Sequence, residues 1–390
     1  MSGIRIESLS RRGFGRTALM GAAFAFLDSE ATGAQDTASR EIIDARKLGA
    51  AGDGKTDDTA ALQKAIDVAG EKTGAVRVPP GVYLTRELHV RAGVAITGVA
   101  GWNYSFGGGT VLRLLGTDSA CLLDLTEARG ATLQGLSLDG ANLGQGIDGI
   151  ATKRTGYGKH EDGFRIDTCQ VARFSGSGMN LNKVWCFSVR HCEMMENRGD
   201  GMALHGWDGF LLDNWFSGNG RAGFAAREEN ASVTFTANRV EWNGEENFLI
   251  AGGDGYQITG NFFDRAGTVG IALRKNTRSC VQVAITGNFI KRSGKMVKDN
   301  AHEASESAQV VIEGGAGISF TGNVLQAGRD DGNAGMWSPA NGIVYGGLKD
   351  CVIANNTLFE GALRELMVDL GGHGEGVVVR DNPGSLKSGV

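Results

Sequence analysis

Between Cys169 and Asn382 a six-residue phrase returns at near-constant spacing: apolar, any residue, small or polar, a pivot, any residue, apolar. It reads Ile166-Asp167-Thr168-Cys169-Gln170-Val171 first, then recurs from Val189, Leu211, Phe235, Ile258, Ile285, Phe320, Ile353 and Val379. The pivots are Cys169, Cys192, Asn214, Asn238, Asn261, Asn288, Asn323, Asn356 and Asn382. In mid-chain they stand 22, 24 and 23 residues apart, the length of one turn of a parallel β-solenoid. Positions three before and two after each pivot are almost all Ile, Val, Leu, Phe or Met, so they are read as interior. The odd step between them demands a bend at the pivot. A column of Asn there can pass hydrogen bonds from coil to coil and satisfy the backbone where the strand breaks. A sandwich with Asn-rich turns would rarely hold one residue type in register over seven repeats.

Earlier pivots at Val99 and Leu136 extend the pattern to about eleven coils. The fold class is therefore all-β, a parallel β-helix in one domain over residues 35–390. Sixty-two Gly against four Pro suit many tight turns, and 41% apolar residues supply a long core. The net charge is −5, and about −6 without the first 34 residues, which gives no encouragement to nucleic-acid binding. The six Cys show no CxxC or CxxH spacing, so no metal site is expected from them. Cys169 and Cys192 share the pivot one coil apart. A disulfide is geometrically open to them, but buried free thiols replacing Asn are the preferred reading.

Residues 1–34 read as an address. Arg11-Arg12-Gly13-Phe14 precedes an apolar run from Ala18 to Leu27 and small residues to Ala34, which resembles a twin-arginine export signal. The apolar run is too short to span a bilayer. The expectation is a periplasmic or secreted protein, free of the membrane after signal removal.

Residues 42–58 read Ile-Ile-Asp-Ala-Arg-Lys-Leu-Gly-Ala-Ala-Gly-Asp-Gly-Lys-Thr-Asp-Asp, and Val76-Arg77-Val78-Pro79-Pro80-Gly81-Val82-Tyr83 follows. Thr56-Asp57-Asp58 should cap a short helix with Ala61, Leu62, Ala65 and Ile66 on its apolar side, closing one end of the solenoid. This segment resembles the N-terminal signature of the pectate-lyase-3-type superfamily of right-handed parallel β-helix proteins. The resemblance implies that handedness and a carbohydrate-related role. It does not fix the reaction, because the superfamily holds lyases, hydrolases, tailspike depolymerases and repeat proteins.

Excess residues between pivots mark long loops near Asn142–His160, Lys291–Ser307 and Arg329–Ala340, the natural walls of a cleft. Two outward faces compete for the site. One and three residues after the pivots, columns Trp215, Arg239, Phe262, Phe289 and Ser217, Glu241, Asp264, Lys291 are expected to meet solvent, with Trp242 beside them. Rings next to carboxylates suit a sugar, and Glu241 and Asp264 on adjacent coils approach the spacing of a retaining glycosidase pair. The other face carries His205, Arg227, Ala251 and Arg274, with Asp200, Glu228, Glu229, Glu245, Glu246 and Lys275 at the strand ends. This is the densest ionisable patch of the chain.

The leading expectation is an exported glycoside hydrolase or transglycosylase acting on a poly- or oligosaccharide. Glu228 with Glu241 or Asp264 would supply acid and nucleophile or base, and Asp200 belongs to the same catalytic group. His205, Arg227, Glu229, Trp215, Trp242, Arg274 and Lys275 would hold the sugar. The run Ala226-Arg227-Glu228-Glu229-Asn230 resembles a stretch of the trimeric inulin fructotransferases, which implies intramolecular transglycosylation. The alternatives are a lyase acting on a uronate polymer by β-elimination and a carbohydrate-binding scaffold without turnover. No cofactor or metal is expected, except that a lyase would admit calcium. Phe262 and Phe289 exposed together would also suit a homotrimer interface. Gly372-His373-Gly374 is similar to the Gly-His-Gly of polygalacturonases, but its companions are absent and it is read as a C-terminal turn.

Overall fold

The computed structural model describes residues 42–72, 74–101, 108–294, 307–328 and 338–387. The residues of the export reading, and most of the loops after Lys291 and Arg329, lie outside them. Each coil supplies three strand segments, as in 179–182, 187–190 and 193–195, followed one coil on by 202–205, 209–212 and 215–217. All pairings join one coil to the next in parallel, Met179 to Met202, Val189 to Leu211 and Met194 to Phe216. We call these segments the first, second and third faces. The first two form one continuous sheet and the third a separate sheet of 13 strands.

The pivot is the corner between the second and third faces. Asn238 accepts from the backbone N–H (2.9 Å) and the Nδ2 (3.0 Å) of Asn214. It donates to Leu211 O (3.0 Å) and Asn261 Oδ1 (3.1 Å). All four hydrogen-bonding positions of the amide are thus used, and the pattern runs without a break to Asn382. No other side chain of this size offers two donors and two acceptors. Cys169 and Cys192 are free thiols that start the ladder, with Cys169 N–H donating to Cys192 Sγ at 3.4 Å. The small or polar residue before the pivot has a physical reason: it sits at positive φ, as at Asp213, Ala237 and Gly260. Asn238→Ala should cost about 2–4 kcal/mol, because it orphans buried groups on both neighbouring coils. A denaturant-midpoint series against an exposed control measures it.

The interior is a stack of apolar rungs in which Phe235 and Phe248 meet at 4.8 Å and Phe224 and Phe248 at 5.0 Å between ring centroids. The α-helix, α1 (Thr59–Glu71), buries Leu62, Ala65, Ile66 and Ala69 against the same core. Asp58 precedes it without a side-chain cap bond to the helix. Its carboxylate instead accepts from Ala51 and Gly52 N–H. Outward positions of the first face form a second apolar cluster from Ala225 through Leu249, Ala272 and Val311 to Val344.

Candidate functional site

The third face departs from expectation. Its first column points outward, but Ser217, Glu241 and Asp264 are buried at 0%, 4% and 0% exposure. The pleat is as anticipated, with Glu241 in register with Asp264. The long neighbours fold across it. Glu241 accepts from Trp215 Nε1 (2.9 Å) and pairs with Arg239 (2.8 Å). Asp264 is gripped by Arg265 (2.7 Å) and by both Nε (2.7 Å) and Nη2 of Arg292, with Trp242 laid over Arg265 at 4.2 Å. These carboxylates are locked in ion pairs, and their separation carries no glycosidase reading. The rings are partly engaged by their neighbours. Arg239 lies 5.9 Å from Trp215 and 4.7 Å from Phe262, and Phe262 stacks on Phe289 at 6.2 Å, so the ring faces meet each other.

The first face gathers the other candidates. Lys183, His205, Arg227, Glu228, Glu229 and the turn Asn276–Arg278 line a hollow of about 590 Å³. Asp200 lies beneath it, buried, with both oxygens on the Arg227 guanidinium (2.7 and 3.0 Å) and a third bond from Ala222 N–H. It is a clamp for Arg227 and does not face the hollow. Asn276 and Arg278 fix the far wall by donating to the carbonyls of Ala251 and Gly252. Arg274, opposite Ala251 and just before the Asn276–Arg278 turn, pairs with Glu313 at 2.7 Å, while Lys275 is exposed in the turn. Trp215 and Trp242 belong to the third face and do not meet this cluster.

The loop expected near residues 142–160 brings in a residue that composition did not single out. Tyr157, held between two glycines, stacks on Trp207 (4.0 Å) under Lys183 (4.8 Å) and donates its hydroxyl to Glu229 at 3.3 Å. Arg154 pins the base of this loop through Asp162 and the carbonyl of Thr126. Beyond Tyr157 lies a second hollow of about 650 Å³, lined by Arg129, Lys153, Lys159 and His160 among others. Tyr157 lines this second hollow and touches Glu229 and Lys183 of the first.

Environment separates the protonation states. Burial, then the charge of Lys183, lowers the His205 pKa below its ordinary value, against opposition from Glu228 and Glu229. Burial, then the Glu229 carboxylate, pushes the Tyr157 phenol well above its ordinary range. His205 is therefore a neutral imidazole and Tyr157 a neutral phenol at pH 7. The His205 Nε2 is buried without a hydrogen-bond partner, 3.9 Å from Glu229, so Nδ1 is the nitrogen left to the hollow. Asp148, also missed in the sequence, has its pKa raised by burial while accepting from Ser177 N–H and Asn180.

Glu87, His89 and Asp124 form a group with ligand atoms within 4.8 Å of one another. The Lys153 ammonium already occupies the position a cation would take, bonded to Glu87 and, at 2.9 Å, to Asp124. The Gly-His-Gly turn is structural as expected. His373 Nδ1 accepts from Leu348 N–H and Nε2 contacts Asp369 at 2.8 Å, which leaves no free ring nitrogen.

The sequence profile of the rhamnogalacturonase A/epimerase, pectate lyase-like family matches residues 42–272. The chain belongs to this family. Its fold is shared with the A-module of a mannuronan C-5 epimerase from Azotobacter vinelandii, at 18% identity, a TM-score of 0.57, and coverage of 89% of this chain and 100% of that one. A DFA-IIIase from Arthrobacter chlorophenolicus A6, solved without its lid, aligns with a TM-score of 0.64 at 15% identity over 88% of this chain and 100% of that one. A capsule K30/K69-specific depolymerase of Klebsiella phage K64-1 is 30% identical over 146 residues. That match spans 34% of this chain and 18% of the depolymerase. Membership fixes a right-handed parallel β-helix of the pectate-lyase type.

Proposed function

We propose that this family member acts on an acidic polysaccharide by removing the proton α to a uronate carboxylate. The observation that carries the reading is the opposed displacement of His205 and Tyr157, which both approach Glu229 Oε2 at the edge of a cationic hollow. Groups whose environments drive their pKa values apart are suited to be base and acid. His205 Nδ1 takes the C5 proton, while Glu229 faces Nε2. The C5–H electron pair moves into the carboxylate, whose added negative charge Arg227 and Lys183 neutralise. Collapse to a C4–C5 double bond expels the 4-oxygen, which receives the Tyr157 phenolic proton. Exchange with water then restores both side chains. The carbohydrate names of the depolymerase, the epimerase and the DFA-IIIase support the substrate class. The twin-arginine run supports export, so that the enzyme meets polymer outside the cytoplasm.

Asp148 favours one other reading: a glycoside hydrolase in which this carboxyl is the acid. Incubating the purified chain with polygalacturonate, alginate and rhamnogalacturonan separates the two. β-Elimination gives unsaturated-product absorbance in step with reducing ends, whereas reducing ends without absorbance would reject it.

The depressed pKa of the base also sets the pH profile. A base with a lowered pKa stays deprotonated further into acid, so the acid limb should lie below the usual imidazole value. Lys183→Met removes the charge that, after burial, lowers it and should move that limb to higher pH. Rate profiles of the two proteins check this.

A further inference from the structure

The second face carries a hollow that the catalytic reading does not use. Its outward column runs Thr132, Arg165, Ser188, Phe210, Thr234, one residue per coil. Ser188 is a small residue between two large ones. Neighbouring strands lie about 4.8 Å apart, so the side chains flanking Ser188 stand roughly 9.6 Å apart at their bases. A flat ring in van der Waals contact on both faces needs about 7–8 Å. The notch therefore admits one ring and no more.

The surrounding chemistry suits a sugar. The hollow measures about 480 Å³. Phe210 is 48% exposed, and among the described residues its ring makes no aromatic contact. The equally exposed Phe289 of the third face differs in having one ring neighbour, Phe262 at 6.2 Å. The Arg165 guanidinium opposite is exposed and makes no ion pair or side-chain hydrogen bond among the described residues. Arg190, itself exposed, reaches across to donate from Nε to Ser188 Oγ at 3.0 Å, and Asp208 lines the side. An apolar plane with donors and acceptors around its edge fits a pyranose, which has an apolar face and a rim of hydroxyls. The Cys186 thiol in this notch is held protonated by burial and by Asp208, and the Ser188 hydroxyl accepts from Arg190.

We propose that the notch binds one pyranose ring of a polysaccharide chain, stacked on Phe210 and met by Arg165, as a second holding site apart from the His205 hollow. The test is native affinity electrophoresis of the full chain in gels containing polygalacturonate, alginate or dextran. At least one of these should retard the native protein. Phe210→Ala, and Ser188→Phe, which fills the notch, should each weaken that retardation about three- to tenfold. Both should leave turnover of short oligosaccharides unchanged. Phe289→Ala on the third face should behave as native. His205→Asn should lose turnover and keep retardation, which separates this proposal from the catalytic one. Circular dichroism confirms folding; if Ser188→Phe fails to fold, Phe210→Ala alone decides. Retardation of Phe210→Ala equal to native, or no retardation of the native protein by any of the three polymers, would overturn the proposal.

Discussion

His205→Asn should lower turnover of a uronate polymer by about 10²- to 10⁴-fold, the ordinary contribution of a positioned base. The asparagine keeps a polar side chain of similar reach in the hollow but cannot accept the C5 proton. Binding should change little, because Arg227 and Lys183 remain to meet the carboxylate, so the loss should fall on kcat. Tyr157→Phe should produce a loss of the same order for a different reason. The ring and its stack on Trp207 survive, and the hydroxyl is gone, with the proton for the leaving oxygen and the bond to Glu229. Substrates with a better leaving group at C4 should recover part of the Tyr157→Phe loss and none of the His205→Asn loss. Asp200→Ala should instead raise KM, since it releases the Arg227 guanidinium without touching the base.

Asp264→Asn should cost about 3–5 kcal/mol of stability, the penalty for breaking a buried ion pair from one side. Asp264 is fully buried, and three bonds from Arg265 and Arg292 converge on it. Asparagine matches its shape but supplies neither the negative charge nor two acceptor oxygens, so two largely buried guanidiniums lose their counter-ion. The effect should appear as a lowered denaturant midpoint, while the folded fraction retains native turnover. A paired Glu228→Gln should leave stability near native, because that side chain is exposed. A result in which Asp264→Asn kept stability and lost activity would return the third face to the catalytic account.

The Asn column made the solenoid legible because its hydrogen-bond pattern admits few substitutes, and the same register placed His205, Arg227, Glu228 and Glu229 on one face. Period and register say which way a side chain leaves the sheet. They do not say what then lies over it, and this is why register alone places Asp264 and Glu241 in solvent. Trp215 and Arg239 of the outward column fold over Glu241, while Arg265 and Arg292, with Trp242, sit at positive φ after the strand and turn back across Asp264. Tyr157 escaped notice for a related reason. The excess residues announced a wall, and Gly156-Tyr157-Gly158 marked its tip, but contact with Glu229 joins positions 72 apart in sequence. Lys183 was hidden at a corner between two faces, again at positive φ.

Proton abstraction at C5 is the step on which the functional account stands. The decisive measurement is NMR of polygalacturonate and alginate incubated with the enzyme in deuterium oxide. The account predicts loss of the C5 proton signal, by elimination or by solvent deuterium entering at C5, and its abolition in His205→Asn. Cleavage that gives new reducing ends, with the C5 proton retained in every product, would contradict it.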